Sequence, residues 1–217
     1  MKKILTSLII CILFSTGITV SAGPAASVHW FTYSERDTGV GNTQYIQNIL
    51  NGAGYSSSYH HNWSNTSVRD DIGGKAIFHI WTHGNPGIIQ CQNGNVSAVA
   101  IRQKYLSSGL DNSRLIYFEG CKTAVSDFSN GDLNNYTYTL GADCTLGYLQ
   151  TIYFYANRGC YEYSRMLYEH AFSEHISVSS AILAARNELY NLRGEFYATD
   201  SIERCGDTFL TPPAYGS

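Results

Sequence analysis

Two continuous β-rich runs, residues 76–81 (AIFHIW) and 115–118 (LIYF), constrain this chain more than any other feature. A strand with one wet face alternates apolar and polar side chains, whereas a strand covered on both faces reads as a continuous β-branched and aromatic run. Both segments are of the second kind, so a sheet lying between two layers of helix is expected. Each run also ends in reactive chemistry flanked by glycine. The first passes through Thr82 into His83-Gly84, and the second through Glu119-Gly120 into Cys121. In open α/β sheets ligands bind in the crevice beyond the carboxyl ends of the strands. The 38 positions from His83 to Cys121 hold a turn-strand-turn insertion and one helix, which is what a crossover between adjacent parallel strands requires.

The rest of the chain agrees with that architecture. Residues 28–33 (VHWFTY) predict a strand, 43–50 a helix, and 55–60 a more polar strand toward a sheet edge. Residues 62–74 predict a loop, being rich in Asn, Ser and Asp and closing on Gly-Gly. Residues 88–91 predict a short strand between turns, and 96–106 a helix with Ser97 at its N-cap. A helix over 133–140 and a strand over 144–149 follow. The clearest helices are 161–172 and 178–192, the second with an Ile182, Ala185, Leu189 stripe and Gly194 at its end. A last strand is expected over 207–210. Strands alternating with helices predict an α/β domain with a mostly parallel sheet and helices on both faces.

Residues 1–22 read as targeting. Lys2 and Lys3 open a positive segment, residues 4–20 are almost wholly apolar, and Val20-Ser21-Ala22 has the character of a cleavage site, so the mature chain is expected to begin near Gly23 and form one domain over 23–217. The apolar run falls short of a comfortable span of about 20 residues, so no membrane insertion of the mature chain is expected and the compartment is secreted or periplasmic. Without Lys2 and Lys3, 12 basic side chains face 17 acidic ones with no basic cluster, which excludes a phosphate-backbone binder. Nucleic acid is not an expected partner.

Cys11 leaves with the targeting segment, and Cys91, Cys121, Cys144, Cys160 and Cys205 remain. Five is odd, so at least one thiol of a monomer is free. Disulfides among Cys91, Cys144, Cys160 and Cys205, in any of three pairings, would leave that thiol at Cys121. An ordinary thiol, with a pKa of about 8.5, is only a few per cent thiolate at neutral pH and needs a base. His83 can take the proton and later return one to a leaving amine. A backbone N–H at Gly84, unshielded by a Cβ, suits a developing oxyanion, with the N–H of Cys121 as second donor. The reaction class is acyl transfer.

These residues resemble the caspase-like cysteine peptidases of clan CD, which include caspases, legumains, gingipains, clostripain and CHAT domains. Their common pattern is a hydrophobic strand running into His-Gly and a second running into Cys after a small residue, here AIFHIWTHG and LIYFEGC. The following GADCTLGYLQTI, YSRMLYEHAF and VSSAILAARNEL are similar to CHAT domains, so the resemblance spans residues 76–192. It implies a caspase-like three-layer sandwich and a cysteine-type endopeptidase acting on a protein or peptide, with Cys121 as nucleophile, His83 as general base and acid, and Gly84 in the oxyanion hole. It also implies that Glu119, two residues before the nucleophile, lines the P1 pocket. Acidic residues there accompany basic P1 side chains in clostripain-like and metacaspase-like enzymes and Asn in legumain-like ones, so Arg or Lys is favoured with Asn in reserve. Tyr148, Tyr153 and Tyr155 are candidates for the pocket wall. Gly120 departs from the Ala more usual before the nucleophile. Two other classes stay open: a catalytically idle caspase-like or CHAT-like module that binds peptide in a tyrosine-lined cleft, and a transpeptidase using the same dyad.

No cofactor is expected, although some members of the group this chain resembles require calcium. His60-His61 reads as an exposed loop pair lacking a third metal ligand, so no metal site is expected. His79, in mid-strand, reads as a satisfied core histidine.

Overall fold

Side chains alternate across a strand, so the strands over residues 77–81 and 115–119 each divide their apolar residues between two cores. Ile77, Leu115 and Tyr117 belong to one, Phe78, Ile80, Ile116 and Phe118 to the other. The computed structural model describes residues 23–31, 39–152, 160–194 and 201–211. Its elements are β1 (Ala25–Trp30), α1 (Gly39–Gly52), β2 (Ser56–His61), α2 (Asn65–Ile72), β3 (Ile77–Trp81), β4 (Gly84–Asn85), β5 (Ile88–Cys91), β6 (Gly94–Ser97), α3 (Ala98–Tyr105), β7 (Leu115–Glu119), α4 (Leu133–Thr139), β8 (Cys144–Tyr148), α5 (Cys160–Ser173), α6 (Val178–Arg193) and β9 (Ile202–Gly206). The central sheet runs β2-β1-β3-β7-β8-β9. Its pairings are parallel except that β9 is antiparallel to β8. A small antiparallel sheet, β4-β5-β6, fills the insertion after β3.

Helices cover both faces, as the buried-strand runs require. Ile46 and Leu50 of α1, Leu167 and Tyr168 of α5, and Ala185 and Leu189 of α6 lie over one face. Val68 and Ile72 of α2, Ile101 of α3 and Leu133 of α4 lie over the other. Ser97 caps α3, its hydroxyl accepting from the N–H of Ala100 at 3.1 Å, and Gly194 ends α6 in the left-handed conformation at φ 69°. Both follow the sequence reading.

Three expectations need correction. Residues 65–72 form a helix, not a loop: Ser64 caps it, accepting from Ser67 N–H at 3.1 Å, and only Val68 and Ile72, one turn apart, are buried. Such a helix is polar on most of its circumference. The last strand is Ile202–Gly206, earlier than 207–210, because Asp207 instead accepts from the N–H and hydroxyl of Ser179 at the start of α6. Lastly, Cys91, Cys144 and Cys205 are free thiols. Cys91 and Cys144 are buried in the two different cores, where burial pushes each thiol up to about 12. Cys205 pairs across from Thr145, the neighbour of Cys144 on the opposite pleat. The expected pairings among these three are therefore absent.

Candidate active site

The register of β3 against β7 sets the site. Trp81 stands level with Glu119, so the next residues out, Thr82 with Gly120 and His83 with Cys121, leave the sheet side by side. Thr82 N–H still donates to the Glu119 carbonyl at 3.1 Å. Beyond it the two loops meet backbone to backbone. A Cβ on Gly84 would lie 2.6 Å from the Cys121 carbonyl oxygen and 3.2 Å from its nitrogen, and one on Gly120 would lie 2.8 Å from the Thr82 oxygen. Only glycine permits this approach at either position.

Each loop is fastened from its own side. Gln90 N–H donates to the His83 carbonyl at 2.9 Å, and the Thr82 hydroxyl donates to the Gln90 carbonyl at 2.6 Å, so the small sheet holds His83 with its imidazole exposed. After Cys121 the chain reverses through Lys122, a non-glycine residue at φ 55°, a left-handed conformation that costs about 1–2 kcal/mol. Thr123 secures the reversal. Its buried hydroxyl lies 2.8 and 3.0 Å from the carbonyls of Phe118 and Gly120 and accepts from Tyr148 N–H at 3.1 Å. Cys121 is half-buried against the α1, α5 and α6 core, and its thiol donates to the Ile152 carbonyl at 3.3 Å.

Glu119 is fully buried. One carboxylate oxygen is 2.8 Å from His79 Nε2, itself buried, and the other accepts from the Ser164 hydroxyl at 3.1 Å. Burial first, and then the nearby Glu119 charge, raises the phenols of Tyr163 and Tyr168. Tyr148 is also a core residue, its hydroxyl 2.7 Å from that of Tyr117, so it lies beneath the site and forms no open wall. Tyr153 and Tyr155 lie outside the described residues. The roles of Thr123 and Ser164 were not expected. A Thr two residues after Cys121 is a local signal for the first, but Ser164 is 45 residues from Glu119 and has none.

His60 and His61 do not act as a pair, because neighbouring strand residues face opposite sides. The His61 ring stacks on Trp30 at 5.0 Å, whereas His60 lies beside His29 and Asp71. The expectation that no third ligand-type side chain stands near is thus overturned for His60.

No protein-family model matches this chain, and no curated protein matches it. Among solved structures, the crystal structure of caspase-1 from Spodoptera frugiperda superposes with a TM-score of 0.57 over 85% of this chain and 88% of that one, at 10% sequence identity. The fold is caspase-like. The caspase-like assignment rests on architecture: a six-stranded, mostly parallel sheet with helices on both faces. It does not extend to the CHAT or gingipain type in particular.

Proposed function

We propose that this chain is a secreted or periplasmic cysteine endopeptidase. One observation carries the reading: His83-Gly84 and Cys121 leave two adjacent, in-register parallel strands at the same level, with backbones so close that both loops need glycine. In this mechanism the Cys121 thiol gives its proton to His83 and the thiolate attacks the scissile carbonyl carbon, forming a C–S bond. The Gly84 and Cys121 N–H groups face the resulting oxyanion. Collapse breaks the C–N bond, and the amine leaves with the proton held by His83. Water, deprotonated by His83, then cleaves the thioester and restores the thiol. The first step requires the thiol to exchange the Ile152 carbonyl for the imidazole.

The reading extends to Arg or Lys at P1, with Asn in reserve. The carboxylate of Glu119 is fully buried and already accepts from His79 and Ser164, so a basic P1 group reaches it only by parting the side chains that cover it. A second reading, an idle peptide-binding module, is favoured by the thiol's engagement with Ile152.

The test is hydrolysis of a P1-scanning fluorogenic peptide library by protein beginning at Gly23, beside Cys121→Ala. Cleavage that vanishes in the variant supports the peptidase, and its P1 profile tests Glu119. No cleavage, with or without calcium, moves the weight to the binding module.

A further inference from the structure

The other face of the sheet carries a second cluster of ligand-type side chains. His29 of β1 and His60 of β2 are register partners on adjacent parallel strands, and α2, packed over that face, contributes Asp71. One ligand atom from each of the three lies within 4.8 Å of the others. His29 Nε2 is 2.7 Å from Asp71 Oδ2, with the imidazole 2% and the carboxylate 13% exposed. We propose that His29, His60 and Asp71 bind one divalent transition-metal ion, zinc being the best match.

Two imidazoles and a carboxylate are a zinc donor set that leaves a fourth, tetrahedral position for water. His60 and Asp71 are half-buried, so water reaches that position. Apart from the Ser58 hydroxyl, 2.8 Å from His60 Nε2, and Lys75, the remaining surroundings are aromatic. The Trp63 ring lies 3.7 Å from His60 and 5.2 Å from His29, and Phe78 lies 5.0 Å from His29. His29 Nδ1 is buried without a hydrogen-bond partner. With metal on Nε2 it carries the ring proton, so the proton now shared with Asp71 moves within the ring and none need be released.

Lys75 Nζ is 3.2 Å from the other Asp71 oxygen. It fixes the carboxylate while leaving Oδ2 available, and its charge opposes the metal's. The site lies on the α2 side of the sheet, whereas Cys121 packs toward α1, α5 and α6. Its consequence is therefore structural: the ion ties edge strand β2 and helix α2 to β1.

The test uses the full chain carrying Cys121→Ala, so that the thiol cannot ligate. Zinc chloride is titrated against a chromophoric chelator, and thermal unfolding is followed with and without zinc. One equivalent is expected to bind and to raise the melting temperature. His60→Ala and Asp71→Asn are expected to weaken binding beyond the roughly 10–100-fold seen when only a supporting partner of a ligand is lost, Lys75→Gln to tighten it, and His61→Ala to leave it unchanged. Should the ligand variants fail to fold, cobalt(II) on the Cys121→Ala protein decides: a tetrahedral spectrum without thiolate charge transfer, with quenching of Trp63 fluorescence, is expected. Absence of stoichiometric binding, binding indifferent to His60→Ala, or a thiolate band overturns the proposal.

Discussion

His79 and His83 lie four residues apart on one stretch of chain, and their surroundings have little in common. His79 sits inside β3 with its ring stacked between Tyr117 at 4.5 Å and Tyr168 at 5.6 Å, and with Nε2 on the buried Glu119 carboxylate. His83 stands beyond the strand end, exposed, on a loop held by the small sheet. A polar group taken out of water must keep its partner, whereas a general base must change charge during each turnover and meet the substrate. The first histidine therefore belongs to the fold, and the second is the one placed for the proposed chemistry. The two carboxyl-side partners divide likewise: Glu119 ends β7 in the core, and Cys121 follows it where the chain turns outward.

Mutation separates these roles. The largest expected effect is on rate: His83→Ala lowers kcat by about 10²–10⁴-fold, the usual contribution of a positioned acid–base group, and leaves the urea midpoint unchanged because the ring is exposed. Steady-state kinetics on the best library substrate, paired with urea unfolding, checks both halves. Glu119→Ala leaves His79 buried without its hydrogen-bond partner and is expected to cost about 1–3 kcal/mol, read as a fall in the urea midpoint. A midpoint unchanged by that substitution would make Glu119 an open pocket residue after all. Gly84→Ala pushes a methyl group to within 2.6 Å of the Cys121 carbonyl and is expected to cost about 1–3 kcal/mol through forced backbone movement, with loss of turnover.

A third histidine supplies the smallest effect. Burial opposes charge on His170, but hydrogen bonds with Glu174 and Glu188 outweigh it and raise its pKa. A folded pKa above the unfolded value of about 6.5 means that this stabilisation is complete below that pH and is lost as pH rises through the folded value. The carboxylates are exposed, so the effect is expected to stay under about 1 kcal/mol. It is measured as the difference in urea midpoint between wild type and Glu188→Gln at about pH 5.5 and about pH 8.5, on either side of the histidine range; the difference should shrink at the higher pH.

The sequence made the centre of the sheet legible because β3 and β7 are buried on both faces and carry no polar alternation to obscure them. The placement of His83, Gly84 and Cys121 just beyond the two strand ends was legible with them. Helix α2 was hidden because burial needs only Val68 and Ile72, and because Ser64, Asn65, Thr66 and Ser67 favour local hydrogen bonding outside helices as readily as a cap. Strand β9 was displaced because Ile202–Gly206 (IERCG) lacks an apolar alternation. The setting of Glu119 was illegible for a different reason. His79 and Ser164 come from 40 and 45 residues away, and a strand-end carboxylate reads as solvated until those elements pack. The His29, His60 and Asp71 cluster likewise exists only once three elements meet.

The most direct test of the central claim, that His83 activates Cys121, is the alkylation rate of each cysteine by iodoacetamide, followed by peptide mass spectrometry in wild type and His83→Ala. Burial raises the thiols of Cys91, Cys144 and Cys205, so Cys121 is expected to label well before them and to slow at least about tenfold when His83 is removed. Labelling of Cys121 no faster than Cys205, and unaffected by His83→Ala, would contradict the dyad.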